Sequence, residues 1–279
     1  MHMSGNTIFI TGGSSGIGRG LAEAFHQRGN QVIVAGRREE RLREVCGAHP
    51  GMAFFALDVT RPDAIQEVAR KVIADFPGLN CIVNNAGVQR HIRFSDDGLL
   101  DDDGLQTEIA TNLLGPIRVT AAFLPQLVKM TRKSPKVDKL RAGFLATAAR
   151  SGAAGSSGTA TVINVSSGLA FVPMARFPVY CATKAAVHSW TMSLRQQLQG
   201  LGVNVIEIVP PWVATELGGP RKPGTTPNGR GPMALDAFIS ETMLALESDA
   251  DEVVVAEAKR LVAASSPETV KKVFSLMNG

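Results

Sequence analysis

The sequence predicts one α/β domain in which a doubly wound parallel sheet of about seven strands carries helices on both faces. Three observations support this. Short β-branched apolar runs alternate with amphipathic helical patterns along the whole chain, and a glycine-rich turn joins the first such pair. Polar residues suited to chemistry, such as Asp58 and Ser167, fall just beyond the ends of apolar runs, where an open α/β sheet binds ligands. At 279 residues the chain can bury a large core.

Thr7–Thr11 (T-I-F-I-T) is the first strand. It runs into Gly12, Gly13, Ser14, Ser15, Gly16, Ile17 and Gly18, after which Leu21, Ala22, Ala24 and Phe25 recur at helical spacing. A tight turn, a backbone that a pyrophosphate can approach closely and the unpaired N–H groups of a helix start make a dinucleotide site. Alone, these glycines could equally form a plain loop. Gln31–Ala35 completes the βαβ unit as the second strand. Gly36, Arg37 and Arg38 follow, where a chain that uses NAD usually has an acid for the ribose hydroxyls. A guanidinium suits a 2′-phosphate, so the pair favours NADP over NAD, with Arg37 the expected contact. Arg38 could be no more than the polar start of the helix R-E-E-R-L-R-E-V.

Met52–Leu57 is a third strand, closed by Asp58 and Val59, with Asp58 placed to meet an adenine ring; Arg61–Phe76 is an amphipathic helix with Pro62 in its first turn. Asn80–Val83 is the fourth strand and ends in Asn84, Asn85, Ala86 and Gly87, small enough for a cofactor to lie against their backbone. Helical periodicity returns near Leu105 and lasts to about Met130, with Asn112 inside it; a helical asparagine is ordinarily a surface or capping residue. Over residues 131–160 the pattern weakens and ends rich in Gly, Ser and Ala, as in a surface insertion. Thr161–Val165 is the fifth strand, Val179–Gln199 a helix and Val203–Val209 the sixth strand. P-P-W-V-A-T-E-L and a Gly/Pro-rich run from Gly218 to Pro232 follow, so residues 212–240 are expected to form a lid over substrate. Met233–Glu247 reads as helix, Glu252–Ala256 as the last strand and Pro267–Met277 as the terminal helix.

The chain's one tyrosine, Tyr180, precedes Lys184 by four positions. That spacing puts phenol and ammonium on one helix face, where the cation would favour the phenolate and draw the pKa toward the working range. Ser167, at the end of the fifth strand, could converge with Tyr180 on one small polar group. Without supporting motifs, the pair reads more readily as a half-buried core Tyr180 and a solvated Lys184.

The supporting motifs are present. T-G-G-S-S-G-I-G, D-V, N-N-A-G, a helical asparagine, a serine followed by Y-C-A-T-K, and P-P-W-V-A-T-E-L occur in order. The chain thereby resembles the short-chain dehydrogenase/reductase family and, through N-N-A-G-V-Q and V-S-S-G-L-A-F-V-P-M-A-R-F-P-V-Y-C-A-T-K-A-A-V-H-S, its DltE-type oxidoreductase branch. The resemblance spans nearly everything outside the insertion and implies a Rossmann-type fold. It also implies that Tyr180 is the acid in carbonyl reduction and the base in reverse, that Lys184 tunes it and binds the nicotinamide ribose, and that Ser167 bonds the substrate oxygen. Asn112 would hold a water that links Lys184 to solvent. Gly12, Ser14, Ser15, Gly16, Ile17 and Gly18 would cradle the pyrophosphate, Asp58 and Val59 the adenine, and Asn85, Ala86 and Gly87 the ribose side. Thr215 would meet the carboxamide, with Pro210 and Val213 beside it. Family members usually have Pro-Gly where this chain has Pro210-Pro211, which makes Trp212 a candidate pocket wall.

Gln89, Leu169, Phe171, Met174, Phe177 and Trp212 are the expected substrate contacts, and their mostly apolar and aromatic nature suits a hydrophobic or aryl ketone or aldehyde, although each could be core packing. The expected activity is reversible NADP-dependent reduction of such a carbonyl to an alcohol. A redox sensor or scaffold that binds NADP without turnover is the alternative. With 29 basic and 25 acidic residues, scattered along the chain, the net charge is +4, which makes no nucleic-acid surface. Three distant cysteines argue against a disulfide framework, and no pattern of metal ligands is apparent. With no signal-like segment or membrane-length apolar run, the expectation is a cytoplasmic protein, assembled as the family commonly is into a homodimer or homotetramer.

Overall fold

The computed structural model describes residues 2–92, 102–132, 160–217, 231–248, 250–264 and 267–278. Strands β1 (Thr7–Thr11), β2 (Gln31–Gly36), β3 (Ala53–Ala56), β4 (Cys81–Asn84), β5 (Ala160–Val165), β6 (Val203–Val209) and β7 (Glu252–Val254) form one sheet in the order β3-β2-β1-β4-β5-β6-β7. Every pairing is parallel. The strand order reverses at β1, so a crevice opens at the carboxyl ends of β1 and β4, as in Rossmann-type folds.

The strands are apolar on both sides because helices cover both faces. Ile8 and Ile10 of β1 pack into a core with Leu21 and Phe25 of α1 (Gly16–Gln27), Leu42 of α2 (Glu39–Ala48) and Phe238 of α7 (Leu235–Leu246). Phe9, between those isoleucines, points the other way. It joins Ile65 of α3 (Pro62–Asp75), Phe123 of α5 (Gly115–Arg132) and Leu194 of α6 (Pro178–Gln199), with its ring 4.7 Å from that of Phe123. α4 (Asp102–Ile109), α8 (Ala258–Val262) and α9 (Pro267–Asn278) complete the described helices.

Departures from the expected elements have local causes. The helix expected over Leu105 to Met130 is interrupted by a π-helical turn, Ala110–Leu114. β7 stops at Val254 because Ala256 has φ 45°, a left-handed backbone that cannot continue a strand. Two short elements carry no sequence periodicity, α8 and the 3₁₀ turn Gly168–Ala170, which Ser167 caps by accepting a hydrogen bond from Leu169 N at 3.1 Å. The expected insertion lies, over 133–159, outside the described residues, as does the 218–230 part of the expected lid. Among the described residues no helix is long and apolar enough to cross a membrane.

Candidate active site

α6 starts on Pro178, whose missing N–H costs nothing in a first turn, and packs against β6. Its buried face carries Tyr180 and Lys184, each 5% exposed. Lys184 Nζ donates to Val165 O at 2.7 Å and stands 5.7 Å from the Tyr180 ring centroid. Val165 ends β5, so this bond ties the ammonium to the strand from which Ser167 emerges. The hydroxyls of Ser167 and Tyr180 share a hydrogen bond that favours the phenolate. The structure thus brings the three expected residues together.

Their electrostatics differ from the expectation. Burial pushes the Tyr180 phenol well above its usual value, against the Ser167 hydrogen bond, and the nearby acidic groups Cys181 and Glu108 push the same way. Burial also lowers Lys184 to about 8, opposed by the carboxylate of Glu207. Lys184 therefore does not draw the phenol down in the protein alone. The cost of moving a phenolate out of water outweighs the Ser167 hydrogen bond. The phenol is held protonated at neutral pH.

Asn112 lies in the π turn and is 1% exposed, a core residue rather than a surface or capping one. Its Oδ1 accepts from Val88 N at 2.8 Å, and its Nδ2 donates to Val88 O at 2.8 Å and to Thr183 Oγ1 at 3.2 Å. Val88 is thereby locked on both backbone groups. A β-carbon at neighbouring Gly87 would lie 3.5 Å from Asn112 Oδ1 and 3.9 Å from Lys184 Nζ.

The glycine turn is packed by Asn85. Its Nδ2 donates to Thr11 O at 2.9 Å and Gly12 O at 3.3 Å, and a β-carbon at Gly12 would lie 2.8 Å from it. At Gly18 a β-carbon would collide with the Asn85 amide and the Gly12 carbonyl. Thr11, to which sequence reasoning gave no site role of its own, organises the junction. Its Oγ1 accepts from Asn85 N at 3.0 Å and Ala86 N at 3.1 Å. α1 begins after Ser15 with no side-chain cap and no acid in its first turn, so its start suits an anion. Ser14, Gly16, Ile17 and Gly18 lie at this start. Thr215, from the segment after β6, comes within 3.2 Å of where a Gly16 β-carbon would be.

The arginines are arranged differently from the expectation. Arg37 is exposed and pairs with no other described residue, whereas Arg38 turns back to the glycine turn. Arg38 donates to Ser15 Oγ at 2.6 Å, Ser14 Oγ at 3.3 Å and Glu216 Oε2 at 2.9 Å. Arg41, which the sequence analysis passed over, bonds both Glu216 oxygens at 2.6 and 2.7 Å. Arg41 follows Arg38 by three positions, a helical spacing that could have signalled the pair. Asp58 accepts from Thr60 N at 2.9 Å and Thr60 Oγ1 at 2.8 Å, which shapes the turn after β3, while Val59 is buried against Gly115. Pro210 O accepts from Gly168 N at 2.9 Å, and Val213 is buried and bridged to Met233.

Of the expected substrate contacts, Gln89, Leu169, Met174 and Phe177 are half-buried. Phe177 meets the ring of His91 at 4.7 Å, and Ile92 N donates to Arg176 O at 3.3 Å, so residues 88–92 flank the turn before α6. Phe171 instead packs on His188 at 4.5 Å, and Trp212 is 46% exposed. Sequence reasoning missed Glu108, a fully buried acid on α4 that accepts from Arg90 N at 3.4 Å and is pushed up by burial. An acid on an amphipathic helix ordinarily reads as solvated. His188, Glu207 and Glu252 place ligand-type atoms within 4.8 Å of one another. His188 Nδ1 and Glu207 Oε2 already bond at 2.9 Å and Arg195 lies 4.0 Å from Glu252, so a hydrogen bond and an ion pair account for the group.

The family model for short chain dehydrogenase matches residues 6–136 and 140–225, which include every motif described above. The chain belongs to the short-chain dehydrogenase family. It is 37% identical over 220 residues to the uncharacterized oxidoreductase DltE of Bacillus subtilis, covering 78% of this chain and 75% of that protein. It is 33% identical over 216 residues to serine 3-dehydrogenase of Agrobacterium fabrum, covering 77% and 74%. Among solved structures, a short-chain dehydrogenase of Burkholderia cenocepacia in complex with NADP superimposes with a TM-score of 0.75 over 99% of both chains at 24% identity. The chain is thus an oxidoreductase of the short-chain dehydrogenase family with a Rossmann-type fold.

Proposed function

We propose that the protein is an NADP(H)-dependent short-chain reductase that converts a ketone or aldehyde reversibly into an alcohol. The observation that carries this reading is the buried Ser167–Tyr180–Lys184 set at the end of β5, beside the glycine turn. A bound nicotinamide supplies the hydride for the carbonyl carbon. Ser167 and Tyr180 bond the carbonyl oxygen; as negative charge develops there, the Tyr180 O–H bond breaks and its proton passes to that oxygen. In the reverse direction the phenolate takes the proton back. Lys184 holds the emerging phenolate by its charge and offers donors to a ribose, while Asn112 fixes Val88 beside it.

The uncapped start of α1 suits a pyrophosphate, and the positive cluster of Arg38 and Arg41 favours a cofactor with a 2′-phosphate. The Burkholderia cenocepacia relative, solved with NADP, supports that choice. Leu169, Met174 and Phe177 favour a hydrophobic or aryl carbonyl compound.

The test is NADPH oxidation across a panel of aliphatic and aryl carbonyl compounds by wild type and Tyr180→Phe. Loss of a general acid is expected to cost about 10²–10⁴-fold in rate. Equal rates in the two proteins would remove Tyr180 from the mechanism, and NADPH binding without turnover of any carbonyl or alcohol would favour a redox sensor.

A further inference from the structure

Two guanidinium groups hold a single carboxylate at the lip of the glycine turn, and one of them also bonds two hydroxyls there. Arg38 and Arg41 both bond Glu216, and the far side of the Arg38 fork reaches Ser14 and Ser15. Glu216 stands one position after Thr215, in the segment that leaves β6 and lies over Gly16. It therefore reaches the start of α2 from across the cofactor crevice, and it does so in the described part of the chain.

A carboxylate and a phosphate monoester ask the same thing of a guanidinium, two acceptor oxygens in the plane of its fork. The cluster is thus an anion site occupied by an anion of the protein itself. Arg38, Arg41 and Glu216 are 46%, 42% and 56% exposed, so their pairing is worth little and exchanges readily. The two arginines hold the Glu216 carboxyl below its usual range, so it is fully ionised at neutral pH.

We propose that Glu216 is a tethered competitor for the cofactor's 2′-phosphate, holding the Arg38–Arg41 site until a phosphate monoester replaces it. This rests on the NADP reading above and adds to it a residue that weakens the grip. A tethered carboxylate acts at high effective concentration, returns as the phosphate leaves and thereby eases cofactor exchange in a reversible enzyme. A ribose with a free 2′-hydroxyl offers no charge to the guanidinium groups and leaves the bridge intact.

The experiment is calorimetric binding of 2′,5′-ADP and 5′-AMP, without substrate, to wild type, Glu216→Gln, Glu40→Gln and Arg41→Ala. Glu40 is an exposed acid beside the same arginines and controls for simple loss of negative charge. Glu216→Gln is expected to bind 2′,5′-ADP about fivefold more tightly, the fold-change that matches ~1 kcal/mol for an exposed ion pair. Its affinity for 5′-AMP stays the same, Glu40→Gln has a smaller effect, and Arg41→Ala binds 2′,5′-ADP more weakly. Unchanged or weaker binding of 2′,5′-ADP by Glu216→Gln overturns the proposal, as does an equal gain from Glu40→Gln. If wild type binds 2′,5′-ADP no better than 5′-AMP while Arg41→Ala changes neither, the 2′-phosphate reading itself fails and takes the competitor with it.

Discussion

Tyr180 and Lys184 meet one solvent-free environment with opposite outcomes. Burial disfavours the charged form of each, so the phenol rises while the ammonium falls to about 8. Stability follows from the sign. Below pH 8 both folded and unfolded states keep the lysine proton, and the folded state bears the cost of a buried ammonium. Between pH 8 and 10.5 the unfolded chain binds a proton that the folded one has released, so this group's contribution rises with pH. Lys184→Met is therefore expected to stabilise the fold at pH 7 by up to about 3 kcal/mol, an advantage that shrinks toward pH 10. Denaturant titrations of both proteins at pH 7, 8.5 and 10 read this directly, and a constant difference would contradict it. Tyr180, with its raised value, opposes the trend only above its unfolded pKa near 10. The Tyr180–Lys184 spacing was legible in the sequence; the direction of the phenol shift was not, because it depends on how completely α6 and β5 exclude water.

At the scale of elements, the π turn Ala110–Leu114 does work that an unbroken helix would not. A wider turn re-aims one side chain, and here it places Asn112 against both backbone groups of Val88. Asn112→Ala is expected to leave those groups unpaired in a half-buried setting, at about 1–3 kcal/mol. Urea unfolding measures the loss. A matching fall in NADPH affinity, read by cofactor fluorescence, would show that Val88 and Gly87 depend on this clamp. The periodicity around Asn112 read as one continuous helix because a π turn inserts a residue without altering composition. The positions of Arg37 and Arg38 were equally open to sequence reasoning. Both are cationic and adjacent, yet Arg38, in the N-cap position of α2, turns its side chain to Ser15 while Arg37 faces solvent.

For the whole molecule, the sheet serves two separate cores, and Phe9–Phe123 is a central contact of one of them. Phe123→Ala is expected to cost about 3–5 kcal/mol through lost burial and an unfilled cavity. Its effect on turnover, measured at a temperature where the variant stays folded, should be small, since Phe123 sits away from the crevice. A large kcat loss in the folded variant would argue that α5 packing sets the position of Asn112.

Alternating β-branched runs and helical stripes were sufficient for the sheet class, because a strand buried on both faces must be apolar throughout and a covering helix must show one apolar side. The motifs G-G-S-S-G-I-G, N-N-A-G and Y-C-A-T-K determined the family for the same local reason, since each satisfies a backbone or side-chain requirement within a few residues. Tertiary structure decided what depends on distant partners. It turned Arg38 rather than Arg37 toward the glycine turn, brought Glu216 onto Arg38 and Arg41 from 175 positions beyond Arg41, and buried Glu108 beside the phenol. Charge and burial act through space, and neither is a property of a residue's neighbours along the chain.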